Sequence, residues 1–356
     1  MEPHENNKIK VLVVDDSALM SRQIAGILSD DGIEVVGRAK DGQEALDMIH
    51  SAMPDVITLD VEMPRMNGIT ALKHIMVKHA IPTVMISALT TEGARTTFDA
   101  LKYGAIDVIA KPSRREDESL DAQKADIVAK VRRAAAIRTG RSRYIRMNRA
   151  GGPTIKVSGG AADASTNLIA VGAGTGGYYG MLRVIPSLGS DFQDVLIAVL
   201  LVGNKYVAPF ISYLDWHSAV PVRSVKGVAT PEKGTCYICS GQDGLTIEKG
   251  EDGQPTFRLN EGGNGAESPL DRLFESLSTF GQQSVAVVMT GPGNDGAEGS
   301  ASVRKHGGLC VVQDINNCLD PRMPLAALEM DAADRIVCDY QLGDLLMSLR
   351  NLAGAK

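Results

Sequence analysis

Aromatic residues are scarce, at 4% of the 356 residues with a single Trp. The cores must therefore rest on Val, Ile, Leu, Ala and Met. Cysteine is rare too. The five present are an odd number scattered along a long chain, which excludes a disulfide framework. Basic charge is not in excess. Lys and Arg number 37 against 43 Asp and Glu, a net charge of −6, whereas a general nucleic-acid binder carries a basic domain. No nucleic-acid partner is expected. Apolar runs fall short of the ~18–20 residues that a membrane span requires, which excludes membrane insertion through helices. The polar start, Met1 to Lys10, lacks the apolar core of an export signal. A soluble cytoplasmic protein is the expectation. Hydrophobic residues at 44% and charged residues at 22% are ordinary for a globular protein, and the length predicts two or three domains.

What is present in the N-terminal third is alternation. Ile9 to Val14, Ile33 to Val36, Val56 to Leu59, Thr83 to Ile86 and Ile106 to Ala110 read as strands. Helical patterns separate them, so the spacing predicts an α/β doubly wound parallel sheet. In such sheets chemistry gathers at the carboxyl ends of the strands. Those ends carry Asp15, Asp16 and Asp60, with Ser87 and Lys111 after the later strands. Three crowded carboxylates are costly unless a cation neutralises them, and hard oxygen ligands suit Mg²⁺. An Asp carboxylate can also serve as a nucleophile and form an acyl phosphate.

In order and spacing, these residues resemble the receiver domain of two-component response regulators over residues 8–125. The resemblance implies Asp15 and Asp16 as metal acids, Asp60 as phosphoacceptor and metal ligand, and a backbone carbonyl of Glu62 as a further Mg²⁺ ligand. It also implies Ser87 and Lys111 as switch residues and a sensor histidine kinase as phosphodonor. Met63-Pro64-x-Met66-x-Gly68 matches the turn after the phosphoacceptor. One departure stands out: the family's aromatic residue three before the Lys is Val108 here.

Residues 126–166 read as a connector, basic and then rich in Gly and Ala. From Lys130 to Arg149 there are eight Lys or Arg and no acid. This is either a solvated linker or a basic docking strip for an acidic partner.

The C-terminal half opens with a strand, Asn167 to Val171, a Gly-rich turn, Gly172 to Gly177, and a helix pattern from Tyr178. The turn satisfies G-x-G-x-x-G, a weak dinucleotide signature by itself. That reading also needs an acid after the next strand, and Asp191 and Asp194 lie before it. Residues 167–353 resemble instead the catalytic domain of the chemotaxis protein-glutamate methylesterase, also a glutamine deamidase, with a doubly wound α/β fold. The most specific segment is Met289-Thr290-Gly291-x-Gly293-Asn294-Asp295-Gly296-Ala297.

That family hydrolyses methyl esters with Ser, His and Asp. Carried over position by position, the Ser becomes Gly174, the His becomes Leu201 and the Asp survives as Asp295. The residue three before that Asp, a candidate oxyanion donor in the family, is Pro292, which has no N–H. The expected function is a phosphorylation-regulated chemotaxis-type regulator whose effector domain kept the scaffold and lost esterase chemistry. It would act by binding protein, such as chemoreceptor helices, or as a phosphate sink. The alternative is an active methylesterase with displaced groups. Thr175 beside the lost Ser reads as a helix cap, and His217, assigned to a helix-to-strand connection, and His306 read as surface residues. Cys236 and Cys239, three apart in a strand, would face opposite ways.

Overall fold

Two compact units divide the chain, residues 1–142 and 143–356. The computed structural model describes residues 8–87, 91–111, 123–137, 166–250, 253–259 and 267–352.

The first unit runs β1 (Lys10–Val14), α1 (Ala18–Asp30), β2 (Glu34–Ala39), α2 (Gly42–Ala52), β3 (Val56–Asp60), α3 (Gly68–Lys78), β4 (Thr83–Ser87), α4 (Thr91–Lys102), β5 (Asp107–Ala110) and α5 (Lys124–Ala136). Its sheet has the order β2-β1-β3-β4-β5, and every pair is parallel. Helices cover both faces, so the central strands are continuous apolar runs with Val11 to Val14 wholly buried. The edge strand β2 is half exposed, and it extends three residues past the expected Val36. Ser17, Asp41 and Asn67 cap the first three helices with their side chains, as short polar residues before an apolar helix should.

The expected boundary at residue 126 falls inside α5. This helix buries Ile127, Val131 and Ala134 in the first unit, so its apolar stripe, not its charge, decides where it belongs. Three residues of the basic run are engaged there. Lys130 is buried, 3.3 Å from Asp126 and 3.7 Å from Asp107. Arg132 pairs with Asp31 at 2.6 Å, and Arg133 lies 3.8 Å from Asp107. The rest of the connector, from residue 138 to 165, lies outside the described residues.

The second unit contains β6 (Leu168–Ala173), α6 (Gly177–Ser187), β7 (Val195–Leu200), α7 (Val207–His217), β8 (Val222–Ser224), β9 (Val228–Ala229), β10 (Thr235–Ser240), β11 (Leu245–Lys249) and β12 (Pro255–Leu259). It continues with α8 (Pro269–Ser278), β13 (Ser284–Val288), α9 (Ala297–Lys305), β14 (Leu309–Gln313), α10 (Arg322–Glu329), β15 (Arg335–Val337) and α11 (Asp339–Leu352). Seven strands form one parallel sheet in the order β15-β14-β13-β6-β7-β10-β8. A small antiparallel sheet, β11-β12-β9, packs beside it. Asp194 accepts hydrogen bonds from the Asn167 backbone and side chain and so fastens the start of β6 to the start of β7. Cys236 and Cys239 are both buried in β10. Burial pushes the Cys236 thiol up to about 12 and that of Cys239 up further, which leaves neither as a thiolate nucleophile. Among the described residues, no helix is long and apolar enough to cross a membrane.

Candidate functional site

Each sheet has a switch point, where successive connections leave in opposite directions and side chains from two strand ends meet. In the first sheet it lies between β1 and β3. Asp15 follows β1 and Asp60 ends β3, each 2% exposed, while Asp16 is exposed. Their carboxylate oxygens lie within 4.8 Å of one another. Lys111, after β5, sets its ammonium 2.6 Å from Asp60 and 3.1 Å from Asp15. Asp15 Oδ1 accepts the Ser17 N–H. Its Oδ2 is buried, and the Lys111 ammonium is its ionic partner. Burial pushes the Asp60 carboxyl up to about 6, against the pull of Lys111 and with help from the Asp15 charge. Burial pulls the Lys111 ammonium down, but the hydrogen bond and charge of Asp60, aided by Asp15, outweigh it and leave it raised. Three carboxylates facing one ammonium make a site short of positive charge.

The backbone around this pocket is equally specific. Glu62 is exposed, and its N–H points back at Asp60 Oδ1, 3.4 Å away. Gly68 leaves no room for a side chain, since a Cβ there would run into the Asp60 carbonyl. Arg65, with φ of 62°, pairs with the fully buried Asp41 that caps α2. Backbone N–H groups and the Arg65 charge outweigh burial and hold the Asp41 carboxyl below its usual range. Ser87, 2% exposed, receives a hydrogen bond from the hydroxyl of Thr97 on α4 at 2.7 Å. Val108 is buried where the resemblance expects an aromatic ring. The Asp41–Arg65 pair and Thr97 were not legible in the sequence. Only the position of Asp41 before a helix pattern gave a partial signal.

In the second sheet the switch point lies between β6 and β13. The strand-end loops there are Gly174 to Gly177 and Thr290 to Pro292. Gly174 donates its N–H to the Thr290 carbonyl at 2.8 Å. A Cβ at Gly174 would lie 2.7 Å from Pro292 Cδ and 2.8 Å from Gly291 Cα. The place of the absent side chain is thus filled by the neighbouring loop. Met323 packs as tightly on Gly291, and Leu319 on Gly176. Leu201 sits one strand over, with its N–H on the Ala173 carbonyl and its side chain against the apolar core. The cap expected of Thr175 is absent: Gly176, with φ of 83°, is the N-cap of α6 and no side chain caps it. Thr175 instead contributes its carbonyl, which accepts the Thr290 hydroxyl.

Asp295 has another partner set. Its carboxylate accepts the N–H groups of Leu270 and Asp271 at the start of α8. In return, Asp271 accepts the Gly299 N–H in the first turn of α9. Asp271 of α8 thus serves the start of α9, and Asp295, in the loop before α9, serves the start of α8, a reciprocity missed in the sequence. Burial raises the Asp295 carboxyl, opposed by these backbone N–H groups. Neither histidine of this unit meets it. His217 is the last residue of α7, not part of the following connection, and rests on the Tyr213 ring and carbonyl. His306 is held by the Ser302 carbonyl. Both are exposed.

Comparison with known proteins places both units. Residues 11–122 match the model of the response regulator receiver domain, and residues 169–346 match that of the CheB methylesterase. The protein-glutamate methylesterase/protein-glutamine glutaminase of Pyrococcus horikoshii is 37% identical over 346 residues, covering 94% of this chain and 92% of its own. The protein of the same description from Geobacillus kaustophilus is 36% identical over 339 residues, covering 92% and 95%. The crystal structure of the response regulator domain of Thermotoga maritima CheB is 44% identical, covering 36% of this chain and 97% of that one, with a TM-score of 0.34. The chain therefore belongs to the CheB family of response regulators, which join a receiver domain to a methylesterase domain.

Proposed function

We propose that this chain is a cytoplasmic, phosphorylation-controlled regulator in which the receiver is chemically competent and the effector domain is not an esterase. A sensor histidine kinase is the phosphodonor. The Asp60 carboxylate attacks the phosphorus of the phosphohistidine, an O–P bond forms, and the N–P bond breaks. The residues fit Mg²⁺: three clustered carboxylates share a single ammonium, that of Lys111. Asp15, Asp16, Asp60 and the Glu62 carbonyl would hold it. When bound, Mg²⁺ supplies the positive charge that lets anionic carboxylate and anionic phosphoryl group approach. Lys111 holds Asp60 in place through its ammonium and adds a second positive charge for the phosphoryl oxygens. Ser87 offers its hydroxyl from the next strand end.

For the effector domain the carrying observation is steric. The space in which a nucleophile would stand at Gly174 is taken by Pro292 and Gly291. Leu201 brings a hydrocarbon where the base belongs, and Asp295 is committed to two helix N–H groups. Loss of the Ser or His alone from a comparable triad costs roughly 10⁶-fold in rate. The domain then works by docking on a protein, chemoreceptor helices being the first candidate, or serves as a phosphate sink. The names of the relatives favour a second reading, an active methylesterase with displaced groups such as the Thr175 hydroxyl. A methyl-release assay on methylated chemoreceptor separates the two, with a Gly174→Ser, Leu201→His double variant as comparator. No release above background is expected from the natural chain, and clear turnover would overturn the inert reading.

A further inference from the structure

We infer that Thr97 is a positioning residue for phosphoryl transfer to Asp60, acting through the Ser87 hydroxyl. The inference rests on the reading of Asp60 as phosphoacceptor. Thr97 lies on α4 with no exposure, and its Oγ1 donates to Ser87 Oγ at 2.7 Å. A buried hydroxyl is costly unless paired, and Ser87 supplies the pairing. A serine hydroxyl has one hydrogen and two lone pairs. With one lone pair occupied by Thr97, the directions open to its hydrogen are restricted.

The backbone of Ser87 is fixed as well. Its carbonyl accepts the Lys111 N–H at 2.8 Å, and it pairs with Ala110 across β4 and β5. Ser87 and Lys111 therefore hang from one rigid corner. Asp60 ends the adjoining strand, in register with Ile86. A phosphoryl oxygen carried by Asp60 meets a donor whose orientation Thr97 has already set, and preorganised donors act without reorganisation at the moment of reaction. The alkyl side chain of Val108 has no polar atom with which to take part. One link from the strand ends to α4 runs through two hydroxyls.

The test uses the full chain with Mg²⁺ and acetyl phosphate, from which Asp60 takes the phosphoryl group and acetate departs with the broken P–O bond. Labelling rates are compared for the natural chain, Thr97→Val, Thr97→Ser, Ser87→Ala and the Ser87→Ala, Thr97→Val pair. Thr97→Val should slow labelling roughly tenfold, as expected for losing the aim of one hydrogen bond to a charged group. Thr97→Ser, which keeps the hydroxyl and drops the methyl, should label at close to the natural rate. The double variant should be no slower than Ser87→Ala alone, because both changes remove one interaction. A Thr97→Val chain that melts like the parent and labels at the parent's rate overturns the role of Thr97 and leaves the phosphoacceptor reading standing. Losses that multiply in the double variant overturn it too. A natural chain that takes no label removes the phosphoacceptor reading, and Thr97 with it.

Discussion

In the first sheet, the switch point between β1 and β3 gathers Asp15, Asp60 and Lys111. In the second, the equivalent place between β6 and β13 holds Gly174, Gly291 and the ring of Pro292. Both sheets are parallel, both faces of each are covered, and both put the turn of a first strand beside the end of a later one. The architecture creates the opening in each case, and the side chains decide what becomes of it. In the first, burial of like charges pushes the Asp60 carboxyl up to about 6, so the ionised pocket is held against its own electrostatics. In the second, backbone, proline and leucine close the opening with ordinary van der Waals contact. Keeping a reactive opening costs stability, and filling one gains it.

The sharpest way to break the contrast is to remove the nucleophile proposed for the first site. Asp60→Asn should lower acetyl-phosphate labelling by at least a hundredfold, scored by intact-mass spectrometry. Labelling that persists at another carboxylate would erase the assignment of chemistry to this pocket. Next in size is an attempt to reopen the second site. Gly174→Ser must push apart Gly291 and Pro292, an overpacking that should destabilise the chain by about 2–3 kcal/mol in urea titrations. Adding Pro292→Gly should recover part of that loss. A serine accommodated at no cost would mean that the filled opening is soft.

The electrostatic side of the contrast predicts a gain. The Asp60 carboxyl titrates at about 6 in the fold against 3.8 in the open chain. The neutral form is therefore the better fit. Its contribution is fully present below pH 3.8 and is lost as pH rises to about 6. In chelator, at neutral pH, Asp60→Asn should therefore be more stable than the parent by roughly 2 kcal/mol. The difference should shrink as pH falls toward 4, and guanidinium melts across that window would reveal a slope of the wrong sign. Smallest is Asp295→Ala, which strips α8 of its cap and should cost about 1–2 kcal/mol. Asp295→Asn, which keeps an acceptor oxygen, should cost less.

Much of this was readable beforehand, and for physical reasons. Strands buried on both faces announce themselves as unbroken apolar runs, as Val11 to Val14 and Val195 to Leu200 do. The acids after them stand out because charge is dear at a buried strand end. Gly174 was legible because its flanking glycines set the register. What escaped was contact across the sequence. Nothing local marks Thr97 as the partner of Ser87, or Asp271 as the return cap for Asp295. The crowding of Pro292 on Gly174 joins residues 118 apart in number. The boundary expected at residue 126 falls inside α5, where Lys130, Arg132 and Arg133 are interleaved with the apolar stripe of Ile127, Val131 and Ala134.

The paired capping of α8 and α9 bears on what the presence of Asp295 can testify to. An acid that holds the first N–H groups of α8 serves the fold whether or not it serves turnover. Asp295 is therefore a poor witness to surviving catalysis. Positions without such a second duty weigh more in the proposal that the effector domain is not an esterase.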